Sequence, residues 1–174
     1  LRVLNFGNTR FSIVHAIEGG PAVDVVFVAD GTVIAEGLAY GTSFGTFDVP
    51  ADTYDLAVVP TGGDVSASIA DLSLGLSAGT SNVVVVYGTP DAPMALVATA
   101  PTAGGADTGV VRFVHAVAGA PAVDILIADD LIVPGLSIDS PSEHIALPAG
   151  THEITLQVDG AVLATAEVEV SAGS

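Results

Sequence analysis

Short runs of Val, Ile, Leu, Thr and Phe alternate with Gly, Pro, Asp and Ser along the whole chain, with a break roughly every 8–12 residues. No segment keeps a 3.6-residue period, so strands are expected throughout. The runs predict strands at Phe11–Ala16, Ala22–Ala29, Ser43–Val49, Tyr54–Pro60, Ser66–Leu76, Asn82–Gly88 and Ala92–Ala98. A second set is predicted at Val110–Ala116, Ala122–Ala128, Glu143–Leu147, His152–Val158 and Val162–Val170. In His152–Val158 the residues Ile154, Leu156 and Val158 share one face. In Ala164–Val170 the polar Thr165, Glu167 and Glu169 share the other. This alternation marks strands with one buried and one wet face, as in antiparallel sheets. Val83–Val86 is apolar at every position, which suits an interior strand or one covered on both faces.

The two sets are copies. Val14-His15-Ala16 recurs as Val114-His115-Ala116, and Pro21-Ala22-Val23-Asp24 as Pro121-Ala122-Val123-Asp124, both at an offset of 100. Val49-Pro50-Ala51-Asp52-Thr53 aligns with Leu147-Pro148-Ala149-Gly150-Thr151, and Leu76-Ser77-Ala78-Gly79 with Val170-Ser171-Ala172-Gly173. Past Gly79 the first copy continues into Asn82–Gly88 and Met94–Val97. The second copy has nothing corresponding before position 174. The expected architecture is all-β: two tandem antiparallel Ig-like β-sandwich domains, the second lacking its final strands. Residues 10–99 form the first domain and 110–174 the second, with 100–109 as a short Gly/Pro-containing linker and 1–9 as a separate N-terminal segment. The two Pro-Ala-x-Thr segments are read as tight turns in which Gly150 and Asp52 take a left-handed conformation.

Composition narrows the partners. The 174 residues are 50% hydrophobic and only 13% charged, with 20 acidic side chains against Arg2, Arg10 and Arg112, no Lys, and a net charge of -17. No phosphate-neutralising patch exists for nucleic acid, and an anionic membrane surface is disfavoured for the same reason. No apolar run reaches the length of a membrane span. Without Cys, disulfides, thiolate metal sites and thiol nucleophiles are excluded. Self-repulsion at this charge is relieved by salt, so a saline habitat and an ordinary acidic secreted protein are both compatible readings. A first residue of Leu1 fits either a removed leader or an excerpt of a longer chain.

The paired motifs Val14-His15-Ala16, Pro21–Asp24 and Pro50–Thr53, repeated in register as Val114-His115-Ala116, Pro121–Asp124 and Pro148–Thr151, resemble the DUF4397 family. The resemblance covers Phe11 to about Ala98 and Val110 to Ser174. It implies a β-sandwich module of the kind found in bacterial and archaeal surface or secreted proteins, and so an extracellular or cell-surface location. The family has no assigned activity and supplies no catalytic residue. The second copy departs from the pattern by lacking the last two strands.

An open sheet edge invites a strand from elsewhere. Leu1-Arg2-Val3-Leu4-Asn5-Phe6-Gly7 is, like Val83–Gly88, an apolar β segment ending in aromatic-Gly. The expected function is that of a structural subunit of an extracellular filament. In it Leu1, Val3, Leu4 and Phe6 of one copy donate a strand to the incomplete domain of the next. The acceptor is expected around Val162, Ala164, Ala166, Val168 and Val170, and the partner is the chain itself in a head-to-tail homopolymer. Three readings stay open beside it: residues 1–8 as the first strand of domain one in cis, an excerpt of a longer tandem array, and a self-contained two-domain monomer. The alternative function is a non-polymerising surface adhesion module for a glycan or protein ligand. Tyr40, Phe44 and Phe47, clustered around Gly41 and Gly45, could form a small aromatic platform for it, but are read first as core residues of domain one.

No enzyme is expected. His15 and His115 precede Asp24 and Asp124 at the same interval, which allows a His–Asp hydrogen bond, but no nucleophile accompanies both copies: Ser12 is near His15, whereas the second copy has Arg112. These four residues are expected to be structural, with each His pinning a strand to a loop. No metal site is expected from His144 and His152. Asp129-Asp130 and Ala29-Asp30-Gly31 read as hairpin turns whose carboxylates are the candidates for Ca²⁺, although no EF-hand spacing is present. No other cofactor is expected.

Overall fold

The computed structural model describes residues 7–101 and 105–173. The chain divides into two compact units, Leu1–Thr99 and Ala100–Ser174. Unit 1 contains β1 (Asn8–Ile17), β2 (Val23–Phe27), β3 (Val33–Leu38), β4 (Ser43–Pro50), β5 (Thr53–Pro60), a 3₁₀ turn (Val65–Ala67), β6 (Ala70–Gly75) and β7 (Thr80–Thr89). Its last strand, β8 (Ala92–Pro101), runs just past the division. Two four-stranded sheets result, ordered β4-β1-β7-β8 and β3-β2-β5-β6. Their inner faces share one core: Phe11, Ile13, Ile17, Val84 and Val86 from the first sheet, and Val23, Val25, Leu56, Val58 and Leu74 from the second. Period-2 alternation on both sheets produces this core, since every second side chain points at the opposite sheet.

Unit 2 repeats the second sheet and part of the first. Its strands are β9 (Thr108–Val111), β10 (Val123–Ile127), β11 (Asp130–Leu136), β12 (Ile145–Pro148), β13 (Gly150–Val158) and β14 (Ala161–Val170). The order β11-β10-β13-β14 matches β3-β2-β5-β6, and the two-stranded β12-β9 matches β4-β1. Its core is smaller, centred on Val123, Ile125, Ile127, Leu136, Leu147, Ile154 and Val170.

Several details differ from the sequence reading. β3 and β11 are additional strands. Each pairs with its hairpin partner through register shifts, and Gly37 (φ 63°) and Gly135 (φ 58°) interrupt their periodicity. Pro134 is accommodated because β11 is an edge strand. The expected Ser66–Leu76 strand is shorter at its start, because Asp64 caps the 3₁₀ turn by accepting from Ser66 N at 2.8 Å. Asn8 and Thr9 belong to β1 rather than to a separate N-terminal segment, and the expected linker 100–109 is entered by β8, which runs to Pro101, and by β9, which starts at Thr108. Asp52 has no left-handed φ; its Oδ1 accepts from Thr53 N at 2.8 Å instead, whereas Gly150 does take a positive φ of 142°. The pairing of β1 with β7 is parallel, a departure from an all-antiparallel sandwich.

Candidate strand-acceptor groove

β1 has two neighbours. β4 pairs along one edge, from Asn8↔Pro50 to Val14↔Ser43. β7 takes the other edge in parallel, from Arg10↔Ser81 to Ile17↔Gly88. The β7 side chains Val84 and Val86 are fully buried against the second sheet. Register along this edge is held by a buried polar cluster. Asn82 Nδ2 donates to Thr9 Oγ1 at 3.0 Å and to Arg10 O at 3.2 Å, and Thr99 Oγ1 donates to Asn82 Oδ1 at 2.7 Å. The cluster ties β1, β7 and β8 together, so each buried polar group has a partner. Gly88 closes the strand at φ 101°, where an added Cβ would lie 2.5 Å from Ala92 O. Only glycine fits that turn into β8.

Unit 2 has the counterpart of β1 without the counterpart of β7 among the described residues. β9 pairs only with β12, from Thr108↔Pro148 to Val111↔Ile145. The expected strand Val110–Ala116 stops at Val111; beyond it Phe113 O accepts from Ser142 N at 2.9 Å and Phe113 N donates to Ser142 Oγ at 2.9 Å. Beside them lies an apolar groove of about 450 Å³, walled by Phe113, His115 and Val117 on one side and by Ile154, Leu156 and Ala166 on the other. By the repeat, its lining residues Phe113, Val123, Ile125, Ile154 and Leu156 correspond to Ile13, Val23, Val25, Leu56 and Val58, which share the unit 1 core with Val84 and Val86 of β7.

The turn that feeds the space is also repeated. Gly79 N donates to Asn8 O at 3.0 Å immediately before β7 begins, and Gly173 N donates to Thr108 O at 3.0 Å. The histidines behave alike as well. His15 Nδ1 accepts from Ile17 N at 3.3 Å, so Nε2 carries the proton and donates to Pro21 O at 2.9 Å. His115 repeats both bonds, with Val117 N at 3.3 Å and Pro121 O at 3.0 Å. Each ring therefore fixes the exit of the first strand to the following loop. In unit 2 it holds one wall of the groove in place without a strand beside it.

The His–Asp hydrogen bond expected from the spacing is not how these residues are used. Asp24 is buried and accepts from Gly37 N at 2.7 Å and Gly62 N at 2.8 Å. Asp124 accepts from Gly135 N at 2.7 Å. Both carboxylates brace backbone at the ends of the second sheet. The donor candidates Leu1, Val3, Leu4 and Phe6 lie outside the described residues. Of the acceptor candidates, Ala164, Ala166 and Val168 line the groove. Val170 is buried in the core, and Val162 is 60% exposed on β14, the edge of the other sheet. The sequence reading missed the Phe113–Val117 wall. The signal lay in the repeat: the unmatched strands are those that in unit 1 flank Phe11–Ile17.

The remaining candidates do not converge. Tyr40 is 53% exposed and Phe44 36% exposed, so they are not core residues. Phe47 is half-buried and stacks between Phe11 at 5.0 Å and Phe44 at 5.6 Å. His152 Nε2 donates to Pro148 O at 2.8 Å, as Tyr54 OH does to Pro50 O at 2.9 Å, and burial with Asp52 nearby pushes the Tyr54 phenol up. His144 is exposed on the preceding segment. Asp30 Oδ1 accepts from Thr32 N at 3.0 Å, which holds its carboxyl below the ordinary value. Asp129 takes φ 71° in the β10–β11 turn. No group of three or more metal-ligating side chains occurs among the described residues, nor does a helix long and apolar enough to cross a membrane.

The fold is that of a tandem β-sandwich protein whose second unit, among the described residues, has no counterpart of β7 and β8. The family model described as "Domain of unknown function (DUF4397)" matches residues 9–110 and again 109–174, and the chain belongs to that family. No curated protein matches it.

Proposed function

We propose that this protein is a structural subunit of an extracellular filament, assembled head-to-tail by strand complementation. The observation that carries the reading is the groove of unit 2, whose lining corresponds by the repeat to residues that share the unit 1 core with β7. A segment outside any ladder beside an apolar floor is suited to an added strand: the main chain supplies hydrogen bonds and alternate side chains fill the floor. The donor is Leu1–Phe6 of a neighbouring copy. It ends where Gly7 is anchored in its own unit, with Gly7 O accepting from Ala51 N at 3.1 Å. Such a contact is heterologous, and it propagates unless the rotation closes a ring. The acidic side chains, 20 against three Arg, keep neighbouring fibres apart in water.

A second reading has its own observation. The Gly173–Thr108 hydrogen bond copies Gly79–Asn8, so a strand following residue 174 in a longer chain would fill the groove in cis, as β7 does. The protein is then a non-polymerising surface module. Negative-stain electron microscopy of the 174-residue chain and of the same chain lacking Leu1–Phe6 separates the two. Filaments lost on deletion support complementation between copies. Dispersed particles from both chains, at physiological and at molar salt, refute it.

A further inference from the structure

The groove carries more detail than the existence of a docking edge, because unit 1 contains the seated strand. Resting on the strand-complementation reading above, we propose that Leu1–Phe6 of a second copy lies parallel to residues 110–115 in the register of β7. Leu4 and Phe6 then point inward at the positions of Val84 and Val86, and the strand does not extend the edge of β14.

The register follows from the repeat. The offset of 100 carries Arg10↔Ser81 onto Val110, Ile13↔Val84 onto Phe113, and His15↔Val86 onto His115. In unit 1 the inward residues of β7 are Val84 and Val86. The donor has two possible faces, because side chains alternate. One presents Leu1, Val3 and Asn5, and buries an amide in an apolar floor. The other presents Leu4 and Phe6 inward and leaves Asn5 outward, opposite Val114. The second face avoids an unsatisfied buried amide at Asn5, and it places Arg2 at the position that Asn82 holds in unit 1.

Side-chain size on the β14 wall fits this choice. Leu56 pairs with Leu72 and Tyr54 with Leu74, whereas Ile154 pairs with Ala166 and His152 with Val168. The unit 2 floor is therefore smaller on that side, at two successive inward positions. A strand carrying valines would leave space there, and Leu4 and Phe6 are larger. Close packing of apolar interiors favours the larger pair. The edge of β14 offers no such template. Its counterpart β6 is also an edge in unit 1, and no strand of unit 1 is added to it.

The chain has no cysteine, so single introduced thiols report proximity cleanly. Two full-length populations are mixed under mild oxidation, one carrying Leu1→Cys and the other Val110→Cys, Ala116→Cys or Val162→Cys. The expected result is a cross-linked pair with Val110→Cys. Adding Leu4→Asp or Phe6→Asp to the donor reduces it by more than about tenfold, and adding Asn5→Asp on the outward face leaves it within about twofold. Cross-linking to Ala116→Cys overturns the parallel direction, and cross-linking to Val162→Cys overturns the groove in favour of the β14 edge. Both outcomes leave strand complementation standing. Cross-linking to none of the three, with filaments unaffected by Leu4→Asp, refutes the complementation reading itself.

Discussion

Unit 1 and unit 2 use almost the same motif set, yet among the described residues only unit 1 has strands on both edges of its opening segment. The opening segment of each carries Val-His-Ala and the same histidine bonds. β1 extends over Asn8–Ile17, whereas β9 ends at Val111. The difference lies in the neighbours. β1 has β4 and β7 on its two edges, and β9 has β12 alone among the described residues. Strand length is thus set by the ladder available as much as by the residues, in keeping with the context dependence of β propensity. The other sheet shows a second contrast. In unit 1 its outer face is covered by the 3₁₀ turn, which buries Val26, Ala57 and Val59 beneath Val65. In unit 2 the corresponding strands alternate, and Leu126, Thr155 and Gln157 are half-exposed. Among the described residues, the inner face of unit 2 leaves Leu163 and Val168 exposed in the groove.

This contrast can be broken most sharply by placing a carboxylate on the inner face of each unit, on β7 in unit 1 and on the groove wall of β14 in unit 2. Val84→Asp in unit 1 buries an unpaired charge and is expected to cost about 4 kcal/mol or more. Ala166→Asp in the open groove is expected to change the stability of the isolated chain by about 0.5 kcal/mol or less, while abolishing filaments. Chemical denaturation of both variants checks the pair, and equal losses would erase the distinction between the units. Asn82→Ala comes next. It leaves Thr99 Oγ1 without its acceptor and unties β1 from β7, with an expected cost of about 1–3 kcal/mol confined to unit 1. Salt has a smaller, global effect. Raising salt to about 1 M shortens the screening length to about 3 Å, so the melting temperature of a chain with net charge -17 is expected to rise. A flat response would remove the argument for a saline setting.

The smallest effect is acid sensitivity. Asp64 and Asp30 have carboxyls held below the ordinary 3.8 by hydrogen bonds from Ser66 and Thr32. A folded-state value below the unfolded one contributes stability that is complete above the ordinary value and lost as pH falls through the lower one. Both residues lie in unit 1 and both are exposed. The expected outcome is a slight fall in unit 1 stability below about pH 3.8, reduced in Asp64→Asn and read by thermal melts across pH.

Much of the sandwich was legible because its strands alternate at period 2 or, like Val83–Val86, are apolar throughout, as suits the interior position β7 holds in its sheet. β3 and β11 escaped notice because Gly37 and the Pro134-Gly135 pair interrupt edge strands that need only one partner. The parallel β1–β7 pairing was not legible either. Register between strands far apart in sequence depends on the crossover, and the Asn82 cluster that sets it joins residues from three separated strands. For the groove, the repeat revealed what was unmatched, but only the pairing of β7 with β1 located the space beside residues 110–117. Aromatic placement misled, since Tyr40 and Phe44 lie around glycine turns at the surface rather than in the core.

The most direct test of the central claim is amide hydrogen exchange at residues 110–117, compared between the full chain under assembling conditions and the chain lacking Leu1–Phe6. Residues 10–17 serve as the internal reference, because β7 protects their edge in both proteins. The account expects alternate amides of 110–117 to be slowed in the full chain and to exchange freely after the deletion, with 10–17 protected throughout. Identical exchange at 110–117 in the two proteins would contradict it.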